Sequence, residues 1–211
     1  MCVLVLSEID YSLAMKFKKI PESISSNEWK KQGLGAVVMD MQPNLMDTIH
    51  AVNQLTETII LQMKVFNLLQ IPICLTEQVP EKLGSTHPDI VHQNTQGICF
   101  WKKTFSAFGS DAFSAWIESN KISHLLIAGI ETPICIYQTS IDALRMKLQV
   151  TILSDCIGAR READGRDARK QLSAFGCTII PLETLIYSYL RDSSHLHFRD
   201  ISRLIRERTE T

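Results

Sequence analysis

Three residues of unlike chemistry stand just beyond apolar runs in this chain of 211 residues. Asp40 follows Gly35-Ala36-Val37-Val38-Met39, Lys102 follows Ile98-Cys99-Phe100-Trp101, and Cys135 lies a few residues beyond Leu125-Leu126-Ile127-Ala128-Gly129. A thiol is a soft nucleophile, a carboxylate can take its proton and later activate water, and an ammonium can hold the carboxylate's charge and polarise a carbonyl. The trio thus has the parts for covalent attack on a carbonyl carbon. Each residue alone has a plainer reading: a buried structural thiol for Cys135, a helix N-cap for Asp40 and a solvated side chain for Lys102.

What would bring them together is a parallel sheet. Apolar runs of three to five residues bounded by turn residues read as buried strands: Gly35 to Met39, Ile73 to Thr76, Ile98 to Trp101, His124 to Ala128, Val150 to Leu153 and Thr178 to Ile180. Helix-compatible segments alternate with them. These run from about Met46 to Leu69, from a Ser110 cap to about Asn120, and then over Ile134 to Met146, Asp164 to Phe175 and Glu183 to Leu190. Repeated strand then helix predicts a three-layer αβα domain with a mainly parallel, six-stranded sheet. In such a sheet all the carboxyl ends lie on one edge, where open α/β folds bind ligands. A helix starting near Pro133 would also direct free N–H groups at the Cys135 sulfur and favour its thiolate.

The rest of the chain is read more simply. Residues 1–33 form an extension, with a basic cluster at Lys16, Lys18 and Lys19 and a serine-rich stretch; residues 34–190 form the domain; residues 191–211 carry a last charged, surface-bound helix. A formal net charge of -1 offers no basic excess for nucleic acid, which leaves small molecules or further subunits as partners. The opening Cys2-Val3-Leu4-Val5-Leu6 is too short for a membrane span and lacks the basic region of a signal peptide. Cys2, Cys74, Cys99, Cys135, Cys156 and Cys177 show no CxxC pairing, which points to reduced, mostly buried thiols in the cytoplasm. Trp101 and Phe105 flank the lysine as candidate pocket walls, with Gln42 a third. Asp155 ties down a loop, and Arg160, Arg161, Arg166 and Arg169 lie among acids as a solvated face.

Three segments together resemble the isochorismatase-like cysteine hydrolases, a family that includes nicotinamidases and N-carbamoylsarcosine amidohydrolase. They are Val37 to Gln42, Lys102 to Phe108, and Gly129 to Cys135 followed by Thr139, Asp142 and Ala143. Thr76-Glu77-Gln78 with Leu83-Gly84 looks most like the isochorismatase-domain-containing branch. The resemblance implies a Rossmann-like sheet, Cys135 as nucleophile, Asp40 as general base and Lys102 as electrostatic partner. It also implies a cis peptide between Ile130 and Glu131 that turns the N–H groups of Glu131 and Cys135 toward a developing oxyanion, and assembly into a homo-oligomer.

Departures from the family narrow the expected chemistry. Metal-binding nicotinamidases carry an Asp-x-His pair after the second strand, where this chain has Glu77-Gln78-Val79. Neither a catalytic metal nor a cofactor is therefore expected, and His87 and His92 do not have the spacing of a metal site. True isochorismatases lack the cysteine and cleave a vinyl ether. The expectation is a metal-independent hydrolase that cleaves a small amide or related C–N bond through a Cys135 thioester. A catalytically silent scaffold and a thiol redox sensor are the alternatives.

Overall fold

A computed structural model describes residues 33–207, so the expectations for the N-terminal extension and Cys2 lie outside the described residues. The run Leu34–Met39 forms β1, with every residue buried. Full burial is what an apolar strand without alternation requires, because helices must cover both faces. The other strands are β2 (Ile73–Gln78), β3 (Cys99–Lys102), β4 (His124–Gly129), β5 (Gln149–Ile157) and β6 (Thr178–Ile180). They form one six-stranded sheet in the order β3-β2-β1-β4-β5-β6, and every pairing is parallel. The chain builds outward from β1 to β3 and then returns to place β4 on the other side of β1. That reversal opens a crevice at the carboxyl ends of β1 and β4.

Successive strand residues point to opposite faces, and the core divides accordingly. One face puts Ala36, Val38, Ile73, Leu75, Leu126 and Ala128 under α2 (Val52–Leu68), α8 (Leu182–Leu190) and α9 (Phe198–Arg206). The other puts Val37, Met39, Cys74, Leu125 and Ile127 under α5 (Asp111–Ser119), α6 (Tyr137–Arg145) and α7 (Glu162–Phe175). The expected three layers result. The last helix is more than a charged surface segment, for Ile201 is fully buried and Phe198, Leu204 and Ile205 pack beside it. None of the helices among the described residues is long and apolar enough to cross a membrane.

The structure corrects three local expectations. The long helix from Met46 to Leu69 is two helices: α1 (Pro43–Met46) ends before a turn, and α2 begins after Ala51, whose φ is 51°. The break has identifiable causes. The Thr48 hydroxyl bonds back to the Leu45 carbonyl at 3.0 Å, and the His50 N–H is drawn to the Ala159 carbonyl at 3.2 Å, a tertiary partner that no local pattern announces. The Glu77 to His92 loop carries the end of β2 and two short helices, α3 (Pro80–Leu83) and α4 (Pro88–Gln93). Each begins with proline, whose missing N–H costs nothing at a first helical position. Cys99 is exposed rather than buried, because it lies on the outward side of an edge strand.

Candidate active site

Asp40 leaves β1 with a φ of 54°, a left-handed conformation that aspartate tolerates better than most residues. Its N–H donates to the Thr76 carbonyl at 3.0 Å, and the side chain is wholly buried. The Thr76 hydroxyl donates to Asp40 Oδ1 at 2.8 Å, and Lys102 Nζ donates to Oδ2 at 2.7 Å. Lys102 arrives from the end of β3 with none of its side chain exposed. A second bond of 2.7 Å runs from its ammonium to Gln78 Oε1, and the same ammonium lies 3.7 Å from Cys135 Sγ. Removed from water, an ammonium needs such partners, since an unpaired buried charge is strongly destabilising.

Cys135 reaches the same place from β4. Gly129, with φ 111°, ends that strand where a Cβ would lie 2.2 Å from the Met39 carbonyl oxygen, so only glycine allows β4 to close on the residue before Asp40. The following Ile130–Glu131 peptide is cis. The helix expected to start near Pro133 opens with one wide π-turn over Thr132–Ile136 and runs on as α6 from Tyr137. The Thr132 N–H and hydroxyl both donate to the Gly158 carbonyl at 2.8 Å, which fastens the turn to the end of β5.

The resting sulfur is not the thiolate that a helix start alone would favour. Burial pushes the Cys135 thiol up to about 12, and the Asp40 carboxylate adds to the rise through its charge and a hydrogen bond. Lys102 and the Glu131 N–H oppose the shift without overcoming it. The cause is physical: Asp40 and Lys102 cancel each other's charge, so desolvation decides. Labelling by iodoacetamide is accordingly expected to be slow near neutral pH and to climb roughly tenfold per pH unit, past the value of about 8.5 where a free thiol levels off. Asp40→Asn removes the negative charge and leaves the ammonium facing the sulfur, so labelling at a fixed pH should accelerate. A wild-type plateau below pH 9, or no change in Asp40→Asn, would contradict this electrostatic account.

A cavity of about 340 Å³ opens over these residues. Asp40, Gln78 and Cys135 line it, as do Leu45, Ile49, Leu83, Phe105, Ile130 and Ile134, with Asn44, Thr48, Glu131 and Arg160 as its other polar members. Of the three candidate pocket walls only Phe105 is among them. Trp101 is 63% exposed and lines a separate, larger depression on the edge strand. The reason is strand alternation: with Lys102 turned inward, the preceding residue must turn away. Gln42 is buried behind the site, where its amide donates to the Gln78 carbonyl at 3.1 Å and its Oε1 accepts from the Gln78 N–H at 2.7 Å. It holds Gln78 rather than a ligand.

Arg160 is solvated as expected, its side chain 57% exposed, yet it also lines the cavity. Its Nε lies 3.1 Å from both Glu131 carboxylate oxygens, and its backbone N–H donates to the same carboxylate at 3.2 Å. Its place just past β5, next to β4 in the sheet, was the available signal. Gln78 and Leu83 were also missed as site residues, although Gln78 ends β2 and Leu83 lies just beyond it. Asp155, within β5, accepts from the Leu182 N–H at 2.7 Å and so secures the start of α8. Lys103 is exposed. His87 caps α4, its Nδ1 accepting from the Asp89 N–H at 3.3 Å.

Comparison with known proteins places this geometry. Residues 35–184 match the isochorismatase domain. The chain is 32% identical over 168 residues to isochorismatase domain-containing protein 2A of Mus musculus, covering 80% of each. Among solved structures it is similar to the MAR1 ribonuclease of Caenorhabditis elegans, with a TM-score of 0.79 and 26% identity over 84% of this chain and 92% of that one. It also shares the fold of the Escherichia coli YcaC gene product, an octameric hydrolase of unknown specificity, with a TM-score of 0.73 and 16% identity over 82% and 92% of the two chains.

Proposed function

This chain belongs to the isochorismatase family, and from that premise we propose that it is a cysteine hydrolase cleaving a small carboxamide or related C–N bond. The single observation that carries the proposal is the meeting of a cation, a carboxylate and a thiol in one buried cluster, with Lys102 Nζ at 2.7 Å from Asp40 and 3.7 Å from the Cys135 sulfur. Burial at that cluster keeps the thiol neutral at rest, so the nucleophile must be made at the moment of attack. Asp40 takes the thiol proton as the S–C bond forms, and charge develops on the carbonyl oxygen. The N–H groups of Glu131 and Cys135 are assigned to that oxyanion. Collapse breaks the C–N bond, Asp40 returns the proton to the leaving nitrogen, and ammonia or an amine departs. Water, deprotonated by Asp40, then cleaves the thioester to the acid and restores the thiol.

Lys102 acts on this cycle by fixing the carboxylate's orientation through their 2.7 Å bond. The raised thiol weighs against a redox sensor, which works best with a thiolate already formed. Phosphodiester cleavage is the second reading, favoured by the likeness to the C. elegans ribonuclease. Against it, Lys102 is buried in its pair with Asp40, and Arg160 comes to the cavity with a carboxylate, Glu131, beside it, a charge that repels phosphate. Family likeness at the level of the fold also leads us to propose a homo-oligomer.

Mass spectrometry supplies the test. Rapid acid quenching of the protein with a panel of small amides and p-nitrophenyl acetate is expected to trap an acyl group on Cys135 and on no other cysteine. A chain that forms no adduct yet cuts an RNA oligonucleotide would replace the amidase reading with the nuclease one.

A further inference from the structure

We propose that the substrate is an uncharged carboxamide whose acyl group is a short apolar chain. This inference rests on the amidase reading and adds the class of acyl group to it. The walls of the cavity are the first ground. Leu45, Ile49, Leu83, Phe105, Ile130 and Ile134 surround the approach to Cys135 in about 340 Å³, room for a few methylene groups beyond a carbonyl. Burial of each such group is favourable because apolar surface leaves water.

Charge is the second ground, and it is independent of the first. Every formal charge at the site is already matched: Asp40 with Lys102 at 2.7 Å, and Glu131 with Arg160 at 3.1 Å. A substrate carboxylate would set a second negative charge beside Glu131, which already faces the cavity with Arg160 bonded to it through Nε. A substrate ammonium would have to compete with Arg160 for the Glu131 carboxylate. The polar side chains are similarly committed. Gln78 accepts from Lys102 and donates to the Lys103 carbonyl, and the Thr48 hydroxyl donates to the Leu45 carbonyl. Asn44 has no side-chain hydrogen bond among the described residues, and its amide at the rim suits a neutral polar atom.

The chemistry balances as in the cycle above: a carboxamide and water give an acid and ammonia, with the acyl group held on sulfur between the two steps. Ammonia release is measured for acetamide, propionamide, butyramide and hexanamide, and for the charged succinamate and 6-aminohexanamide. Acylation of Cys135 by the p-nitrophenyl esters of acetate and hexanoate is followed in parallel. The expected result is a kcat/KM that rises roughly fourfold per methylene until the cavity is full, with each charged amide at least tenfold below the uncharged one of similar length. Phe105→Ala is expected to lower the hexanamide-to-acetamide ratio roughly tenfold; Phe105 is 50% exposed, so the fold tolerates its loss. A flat series, or a charged amide that wins, overturns the apolar class while the amidase reading stands. Failure of every amide to release ammonia and of both esters to acylate Cys135 removes the amidase reading, and this inference with it.

Discussion

Replacing Cys135 with alanine is expected to lower kcat for carboxamide hydrolysis about 10⁵-fold, to the level left by binding and oxyanion contacts alone. The size follows from the chemistry proposed for the sulfur. Among the described residues lining the cavity the next candidate nucleophile is Asp40, and it is held by Lys102 and Thr76. The fold should survive, because Cys135 is a small residue, 6% exposed, in a turn whose backbone is fastened to Gly158 rather than by the sulfur. A stability change of about 1 kcal/mol covers loss of the buried sulfur atom. Steady-state ammonia release by purified variant and wild type, with urea unfolding of both, checks the two halves. Turnover within tenfold of wild type would eliminate the covalent route.

Lys102→Met is expected to destabilise the protein by about 3 to 5 kcal/mol, a large share of a domain's total. Methionine fills the space of the lysine stem but leaves Asp40 buried, with the Thr76 hydroxyl as its remaining side-chain donor. Gln78 Oε1 loses its donor as well. The cost therefore comes from an uncompensated carboxylate rather than from lost packing, and that distinction can be measured. In Asp40→Asn/Lys102→Met both charges are gone, so the double variant should recover about 2 kcal/mol or more relative to the sum of the single variants. Urea midpoints for the four proteins complete the cycle. Strictly additive losses would mean that the pair is not coupled as its 2.7 Å contact requires.

The buried pair also explains why the site is costly to keep in a protein that could have packed apolar side chains there. Replacing an ion pair in a core by hydrophobic residues is often neutral or stabilising. Asp40 and Lys102 stand at the ends of β1 and β3, on either side of β2, with Thr76 and Gln78 of β2 completing their hydrogen bonds. Such a network gives the carboxylate one orientation toward the sulfur, which suits general-base work better than it suits stability.

The amino-acid sequence by itself determined the layered architecture and the trio. Six short apolar runs, each followed by a helical period, leave a parallel sheet covered on both faces as the arrangement that buries them all. Asp40, Lys102 and Cys135 then have to meet, because parallel strands send their carboxyl ends to one edge. Local patterns could not supply the environment. The charge state of Cys135 was misread because a helix start is visible in sequence, whereas the desolvation that outweighs it comes from β1, β3 and the surrounding core. Trp101 was misassigned because proximity to Lys102 along the chain was taken for proximity in space, although strand alternation sends the two side chains opposite ways. Arg160 lies on the solvated face that the sequence suggested, but its place at the cavity went unread because its partner Glu131 lies 29 residues away and meets it only when β5 pairs with β4. The break before α2, which brings Thr48 and Ile49 to the cavity, depends on the His50 N–H finding the Ala159 carbonyl. Secondary structure follows from near neighbours, but a thiol's proton, a pocket's wall and a cation's partner are set by groups that only the packed sheet brings within a few ångströms.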